Sequence, residues 1–579
     1  MKKTIMWRCA AAMLLAAGLA LPVQADVAKM APESTEVLIR MPSVETLFNL
    51  FSITENSIFG QPLEDMEDAE EELGFNPLKL SELKARGLDT SKPFGLILDS
   101  FEFSAETEEP SFNGAAFLPV TDAGKAIEAL KAMISKETPD LEWSKDGDLT
   151  VFKGIDGDGD GVGYMLPKTG HLFIGAAPKK DAKPFMERIA KADRGLAAEG
   201  SYKEVAAKLP SGREIFGYVD AAKMVERNLS AIKKLAEEES SGPEMTKNLD
   251  YLKEWKGAGA GIDFDTKDLV VDSVIDVKPD AKTLAVVKDV PFDKNIVMGV
   301  KDAPLLLLSF AVNARQYYDI IMASLEEEQR QGFQNNLEAI KAGFGVDPVS
   351  DVIDNLAGNL NLGVYDGMSI NMANYNVLLT LNLKDGAKMT QVIETAISKL
   401  PPEQQSMVQK TTVGAQESYM ISLMGMTQLF LGVKDKNLIV AVGKPMYDKA
   451  LAADVKTGFL TRLKDPDLVA ALKSDAASIL YLDAQETFKA VKNFAPMLQQ
   501  FSKDPSKPFI DETVTNAVNQ FDYLLSASQV KDNSIVSSLA LKTNFVDPFF
   551  QGVANVVESF KEREAEQAKA AESAEGTTD

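Results

Sequence analysis

One cysteine and one histidine stand in a chain of 579 residues, and each scarcity removes a class of chemistry. Cys9 alone forms no disulfide framework and ligates no Cys-type metal centre, and His171 alone rules out a site built on two imidazoles. Cations are also short, with 61 Lys+Arg against 86 Asp+Glu and a net charge of −25. Nucleic-acid binders and proteins docked electrostatically on anionic lipid both present basic faces, so this balance argues against either partner. Long apolar runs are missing as well. Residues 303–312 stop well short of the roughly 20 that a membrane-spanning helix needs.

What remains is ordinary globular material, 45% hydrophobic and 25% charged, long enough for several domains or a repeated one. The first 25 residues read as a secretory signal. Lys2, Lys3 and Arg8 form a basic start, residues 9–21 an apolar run, and Val23 and Ala25 the small residues at −3 and −1 before Asp26. Cys9 opens the apolar run rather than closing it, which excludes a lipoprotein signal. Cleavage after Ala25 removes the only cysteine, and export without disulfides predicts a periplasmic or secreted protein.

Self-similarity at long period is the strongest pattern in the chain. Asn113-Gly-Ala-Ala-Phe-Leu-Pro-Val-Thr-Asp122 matches Asn376-Val-Leu-Leu-Thr-Leu-Asn-Leu-Lys-Asp385, and Phe216-Gly-Tyr-Val-Asp-Ala221 matches Ile479-Leu-Tyr-Leu-Asp-Ala484, both 263 residues apart. Residues 32–41 align with 291–300 at a spacing of 259. Two tandem homologous halves follow, 27–285 and 288–547.

Within each half, apolar runs of strand length lead through a polar turn into stretches with helical spacing. Ala126, Ile127, Leu130 and Ile134 form such a helical face after Asp122. Pairs of runs joined by short polar links, such as 257–264 with 269–277 and 523–530 with 535–543, predict hairpins. The expected fold class is therefore α+β, each half a largely antiparallel sheet covered by helices. Residues 548–579 read as an apolar-striped helix running into a disordered acidic tail, and 61–72 as a second acidic stretch. The strand Asn437-Leu-Ile-Val-Ala-Val-Gly-Lys-Pro445, followed by Asp467-Leu-Val-Ala-Ala-Leu and Leu480-Tyr-Leu-Asp483, resembles exported bacterial proteins of unknown function built from tandem α+β repeats. That resemblance implies export and a repeated fold, and supplies no functional residue.

Candidate sites are few. Asp156, Asp158 and Asp160 alternate with glycines, as in the first half of a calcium loop, but Pro167 stands where the loop needs its bidentate Glu. Ser230-Ala-Ile-Lys233, Ser369-Ile-Asn371 and Lys456-Thr-Gly458 occur in the chain order of penicillin-recognising enzymes, yet Lys168-Thr-Gly170 repeats the last tripeptide in another context. Asp220 and Asp483, each just after a strand, read as helix N-caps. His171 reads as a surface or strand-end residue, and Met420, Met424 and Met426 as core filler or the wall of an adaptable apolar groove. No catalytic set and no bound cofactor is expected beyond the candidate calcium loop. The expected function is a non-catalytic exported protein presenting a surface or groove to an envelope partner or apolar ligand. The alternative is a carboxylate-dependent hydrolase of envelope polymers.

Overall fold

The computed structural model describes residues 24–46, 79–103, 110–139, 141–154, 161–176, 182–238, 253–264, 268–292, 295–365, 376–414, 416–423, 427–461, 476–489 and 521–543. The chain divides into two compact units, the first ending at Lys278 and the second beginning at Pro279. In the first, the strands are β1 Val37–Ser43, β2 Pro93–Phe103, β3 Pro110–Pro119, β4 Glu142–Asp146, β5 Leu149–Lys153, β6 Val162–Lys168, β7 His171–Ala176, β8 Ile215–Val219, β9 Trp255–Phe264 and β10 Asp268–Val277. They pair antiparallel in the order β10–β9–β8–β1–β2–β3–β7–β6–β5–β4. In the second unit the strands are β11 Leu306–Ala311, β12 Leu356–Tyr365, β13 Asn376–Leu383, β14 Val408–Val413, β15 Gln416–Leu423, β16 Thr427–Lys434, β17 Asn437–Val442, β18 Ser478–Asp483, β19 Phe521–Lys531 and β20 Ser534–Thr543. Their antiparallel order is β20–β19–β18–β11–β12–β13–β17–β16–β15–β14. Strand for strand, the two orders are the same. The fold is α+β with extensive antiparallel sheet.

The main-chain devices that close each unit also correspond. Asp122 accepts a hydrogen bond from the Lys125 amide at the start of the helix Ala123–Glu137, and Asp385 does the same for Lys388 and Gly386–Lys399. The Val120 amide donates to the Gly170 carbonyl, and Leu383 donates to Lys436. Asp220 donates through its amide to the Glu36 carbonyl, and Asp483 to Leu305. In the turn between β6 and β7, Thr169 and Gly170 both take positive φ, the conformation of a tight hairpin turn, and Asp435 takes it between β16 and β17.

Each sheet packs one face against short helices. In the first unit Phe185, Met186 and Ile189 of Lys183–Lys191, with Tyr202 and Val205 of Gly200–Lys208, are buried on it. Alternate glycines of β9 make room for the second of these: a Cβ on Gly259 would sit 2.4 Å from Val205 Cγ1. In the second unit Leu307, Tyr365, Leu378, Ile439 and Tyr481 join Met446 and Tyr447 of the helix Lys444–Leu451 in one core.

One expected alignment fails. Residues 291–300 do not form the strand that matches 32–41, because Asn295–Gly299 is a helix whose Val297 and Met298 are buried in that core. The strand in the place of β1 is β11, ten residues later. The helix Asn295–Gly299 occupies the place of Gln24–Met30: Leu196 donates to the Ala31 carbonyl after one helix, and Phe459 to Val300 after the other. An apolar stretch of four residues is too short for periodicity to separate helix from strand.

Candidate functional site

The opposite face of each sheet is built differently. Along β12, Asn359, Asn361, Gly363 and Tyr365 are buried on the helix-covered side, whereas Leu360 is exposed and Leu362 and Val364 are half-buried on the other. Registers carry this aliphatic surface across neighbouring strands. Leu480, Leu308, Leu362, Leu379 and Val440 form one row, and Phe310, Leu360, Leu381 and Leu438 the next. Leu482, Leu306, Val364 and Val377 form a third. At about 4.8 Å between strands, the first row spans roughly 19 Å. The helix Gly386–Lys399 covers the far end of this face, with Met389 and Ile393 packed beside Leu383, Tyr419 and Val433.

In the first unit the row corresponding to Leu480–Val440 reads Gly217, Ile39, Leu96, Ala116 and Ile174. Two leucine positions are thus glycine and alanine. A Cβ on Gly217 would meet nothing within 4 Å, so the space above it is open. The sequence carried a signal of this second apolar face. Residues 305–308 are four consecutive leucines, and a strand apolar at both parities is apolar on both faces.

Charged side chains elsewhere are tied into structure. Arg213 bridges Asp272 at 2.5 Å and Asp263 at 2.9 Å, and Lys208 and Lys256 flank the buried Asp276. Glu36, fully buried, accepts from Arg227 at 2.7 Å and from the Phe101 amide at 3.1 Å. A small cleft of about 190 Å³ lies between Gly386–Lys399 and β15–β16, lined by Thr390, Ile393, Gln416, Glu417, Tyr419, Gly432 and Val433. Lys410 bridges Glu394 and Glu417 beside it, and the Tyr419 hydroxyl donates to Glu394. That volume is below the usual range for a small-molecule pocket.

The residues singled out from sequence are scattered. Asp156, Asp158 and Asp160 lie outside the described residues, as do Ser369, Asn371, Met424 and Met426; the strands flanking the aspartates pair as the β5–β6 hairpin. Ser230 and Lys233 lie on the helix Ala221–Glu238 of the first unit, and Lys456 in a turn of the second where its amide bonds Asp454. Lys168 donates its ammonium to the carbonyls of Ile189 and Ala192 at the end of Lys183–Lys191; burial pushes its pKa down. Lys434 reaches Leu451 likewise. Asp220 and Asp483 accept from the Lys223 and Glu486 amides as helix caps, and burial raises the Asp483 carboxyl above its ordinary value. His171 does open β7, but it is buried rather than on the surface, its ring edge-on to Phe117 with centroids 6.1 Å apart. Edge-on and tilted ring contacts with Phe117 and Phe173 supply the burial that position alone did not reveal. Met420 packs against the core of the second unit. No group of three His, Cys, Asp or Glu able to hold a metal occurs among the described residues, and no described helix is long and apolar enough to cross a membrane.

No family model and no curated protein matches the chain. Among solved structures, crystal form III of TP0453 is similar at 10% identity with a TM-score of 0.21, over 45% of this chain and 97% of that one. Crystal form IV of TP0453 gives 10% and 0.22 over 46% and 96%. At that identity and score the likeness bears on neither fold nor function.

Proposed function

We propose that this is a non-catalytic periplasmic protein, a tandem duplication of one α+β unit whose aliphatic sheet face receives an apolar ligand of the cell envelope. The observation that carries the reading is the half-buried run of Leu and Val across β18, β11, β12, β13 and β17. Apart from Ser478, which pairs with Phe310 at the β18 end of the second row, the side chains of the three rows are apolar, so the face offers a ligand mainly apolar contact area. At about 0.8 kcal/mol per buried methylene, a chain of about ten methylenes gains about 8 kcal/mol, the micromolar range. Duplication is supported by the shared pairing order and by the matched Asp122 and Asp385 caps. Cleavage after Ala25 is compatible with the packing of the first helix, since its buried Val27, Ala28 and Met30 all follow the cut. The hydrolase alternative gains no support from Asp220 and Asp483, which are each engaged by a helix amide.

The test is binding of a fluorescent long-chain fatty acid to the full mature chain, with native mass spectrometry of protein from its own host as the direct readout of cargo. Leu308→Ser and Leu362→Ser should each weaken probe binding at least about tenfold while the melting transition persists. Wild-type affinity in both variants, or no binding in the parent, would overturn the reading. The mature mass should correspond to a chain starting at Asp26.

A further inference from the structure

Seven large hydrophobic side chains stay exposed among the described residues, and six of them fall between positions 310 and 360: Phe310, Tyr317, Phe333, Ile340, Phe344 and Leu360. Two belong to the outermost row of the aliphatic face, where Phe310 pairs with Leu360. The other four project from a helical hairpin, Ala314–Ser324 and Glu327–Phe344, inserted between β11 and β12. Neither helix buries a single residue. Phe333, Leu337, Ile340 and Phe344 follow one another at helical spacing, a stripe about 16 Å long at 1.5 Å per residue. An amphipathic helix of 18 residues that touches Gly386–Lys399 yet buries none of its own side chains exposes this surface at a cost in free energy unless something covers it.

Charge selects the occupant. Residues 313–347 carry six carboxylates and three cations, and every one of those cations is already paired: Arg315 with Asp319 and Asp354, Arg330 with Glu327, Lys341 with Asp347. An anionic bilayer finds no cation to bind and is repelled. A second copy brings the same net charge of −25 against the first. We infer that the hairpin stripe docks on a zwitterionic lipid bilayer by apolar insertion, at the mouth of the aliphatic face. Aromatic and aliphatic side chains on an amphipathic helix insert into the interfacial region without electrostatic help. The inference rests on the reading that the face takes an acyl ligand, and it names the source from which that ligand is drawn.

Flotation of the full mature chain with phosphatidylcholine vesicles tests it. The protein should float equally at low and high salt, and added phosphatidylglycerol should weaken flotation at low salt. The double variant Phe333→Glu with Ile340→Glu should lose at least about tenfold in vesicle binding, with unchanged melting temperature and unchanged binding of the soluble fatty-acid probe. Undiminished flotation of the double variant would overturn the inference. So would flotation that requires phosphatidylglycerol and is lost in salt, or no flotation at all. A concentration-dependent dimer broken by the double variant, without vesicle binding, would overturn it in favour of a second copy. Probe binding that fails while flotation holds removes the cargo reading alone; flotation that fails while probe binding holds removes the docking alone.

Discussion

Replacing Gly217 by valine and Gly259 by alanine should move stability in opposite directions, because neighbouring strands present these glycines to opposite faces of one sheet. Gly217 lies between Ile39 and Ala260, with open space where a Cβ would point. Its φ is not positive, so valine meets no backbone strain. Glycine within a strand loses about 0.5–1 kcal/mol to backbone entropy, and a β-branched residue on a pleated surface recovers it. The expected gain is about 1 kcal/mol, or about 2–4 °C in Tm for a unit of this size. Gly259 lies between Tyr218 and Val274, where a Cβ comes within 2.4 Å of Val205 Cγ1 and 3.1 Å of the Gly217 carbonyl. Overpacking of that kind costs about 1–3 kcal/mol. Calorimetry of the full mature chain, watching the transition of the first unit, reads both effects. If Gly217→Val lowered Tm as much as Gly259→Ala, the second face would be a packed interior and the proposed ligand surface would not exist.

Alkaline pH should unfold the protein before its buried tyrosines ionise. Burial raises the Tyr202 hydroxyl to about 12 and lifts Tyr218, Tyr365 and Tyr481 as well. A raised folded value leaves the contribution intact below pH 10 and removes it as pH climbs towards the folded value, costing about 2 kcal/mol for Tyr202 by pH 12. Phenolate absorbance that rises at the ordinary tyrosine value for all residues while circular dichroism stays native would contradict this. Asp122→Ala and Asp385→Ala should each cost about 1 kcal/mol in urea unfolding, with Asn partly restoring the cap. Lys168→Met should cost about 1–2 kcal/mol and speed amide exchange in the last turn of Lys183–Lys191, whereas Lys434→Met, which frees one carbonyl rather than two, should cost less.

The parts legible in the sequence were those where side-chain type and backbone conformation are locally coupled. Asp122 and Asp385 end strands and cap helices, and their segments sit on β3 and β13 at the same place in the pairing order. Tyr218 and Tyr481 likewise sit on β8 and β18, opposite Leu38 and Leu307. Where the backbone choice depends on distant partners, local reading fails. Asn295–Gly299 is helical because Val297 and Met298 find a core, and four apolar residues do not announce that. Nothing local to Lys168 announces its role, because its partners lie more than twenty residues on, at a helix end. The hairpin Ala314–Ser324 and Glu327–Phe344 does carry a helical period in Phe333, Leu337, Ile340 and Phe344, but the sequence does not say that this apolar stripe stays exposed rather than packing on a core.

The two units agree in main-chain devices and differ in what covers the outer face, and the difference has a physical meaning. Interiors are packed as densely as organic crystals, so exchanging Gly for Leu or Ala for Leu inside a core demands a matching loss of volume nearby. Gly217 and Ala116 hold the places of Leu480 and Leu379, yet the strands between them carry Leu96 where the other unit carries Leu362, and Ile39 where it carries Leu308. Nothing in the row compensates, and the space above Gly217 is open. Those positions are therefore free of the volume constraint of a core. In the second unit Leu480, Leu308, Leu362 and Leu379 make the corresponding row level, the surface the proposed ligand would meet. In the first unit Ile39 and Leu96 stand as a ridge, with Gly217 low on one side of it and Ala116 low on the other. If each unit takes an apolar ligand as proposed, the two should differ in the ligand shapes they accept, and competition between straight-chain and ring-bearing probes, repeated in Gly217→Val, tests this for the first unit: unchanged competition in the variant would refute it.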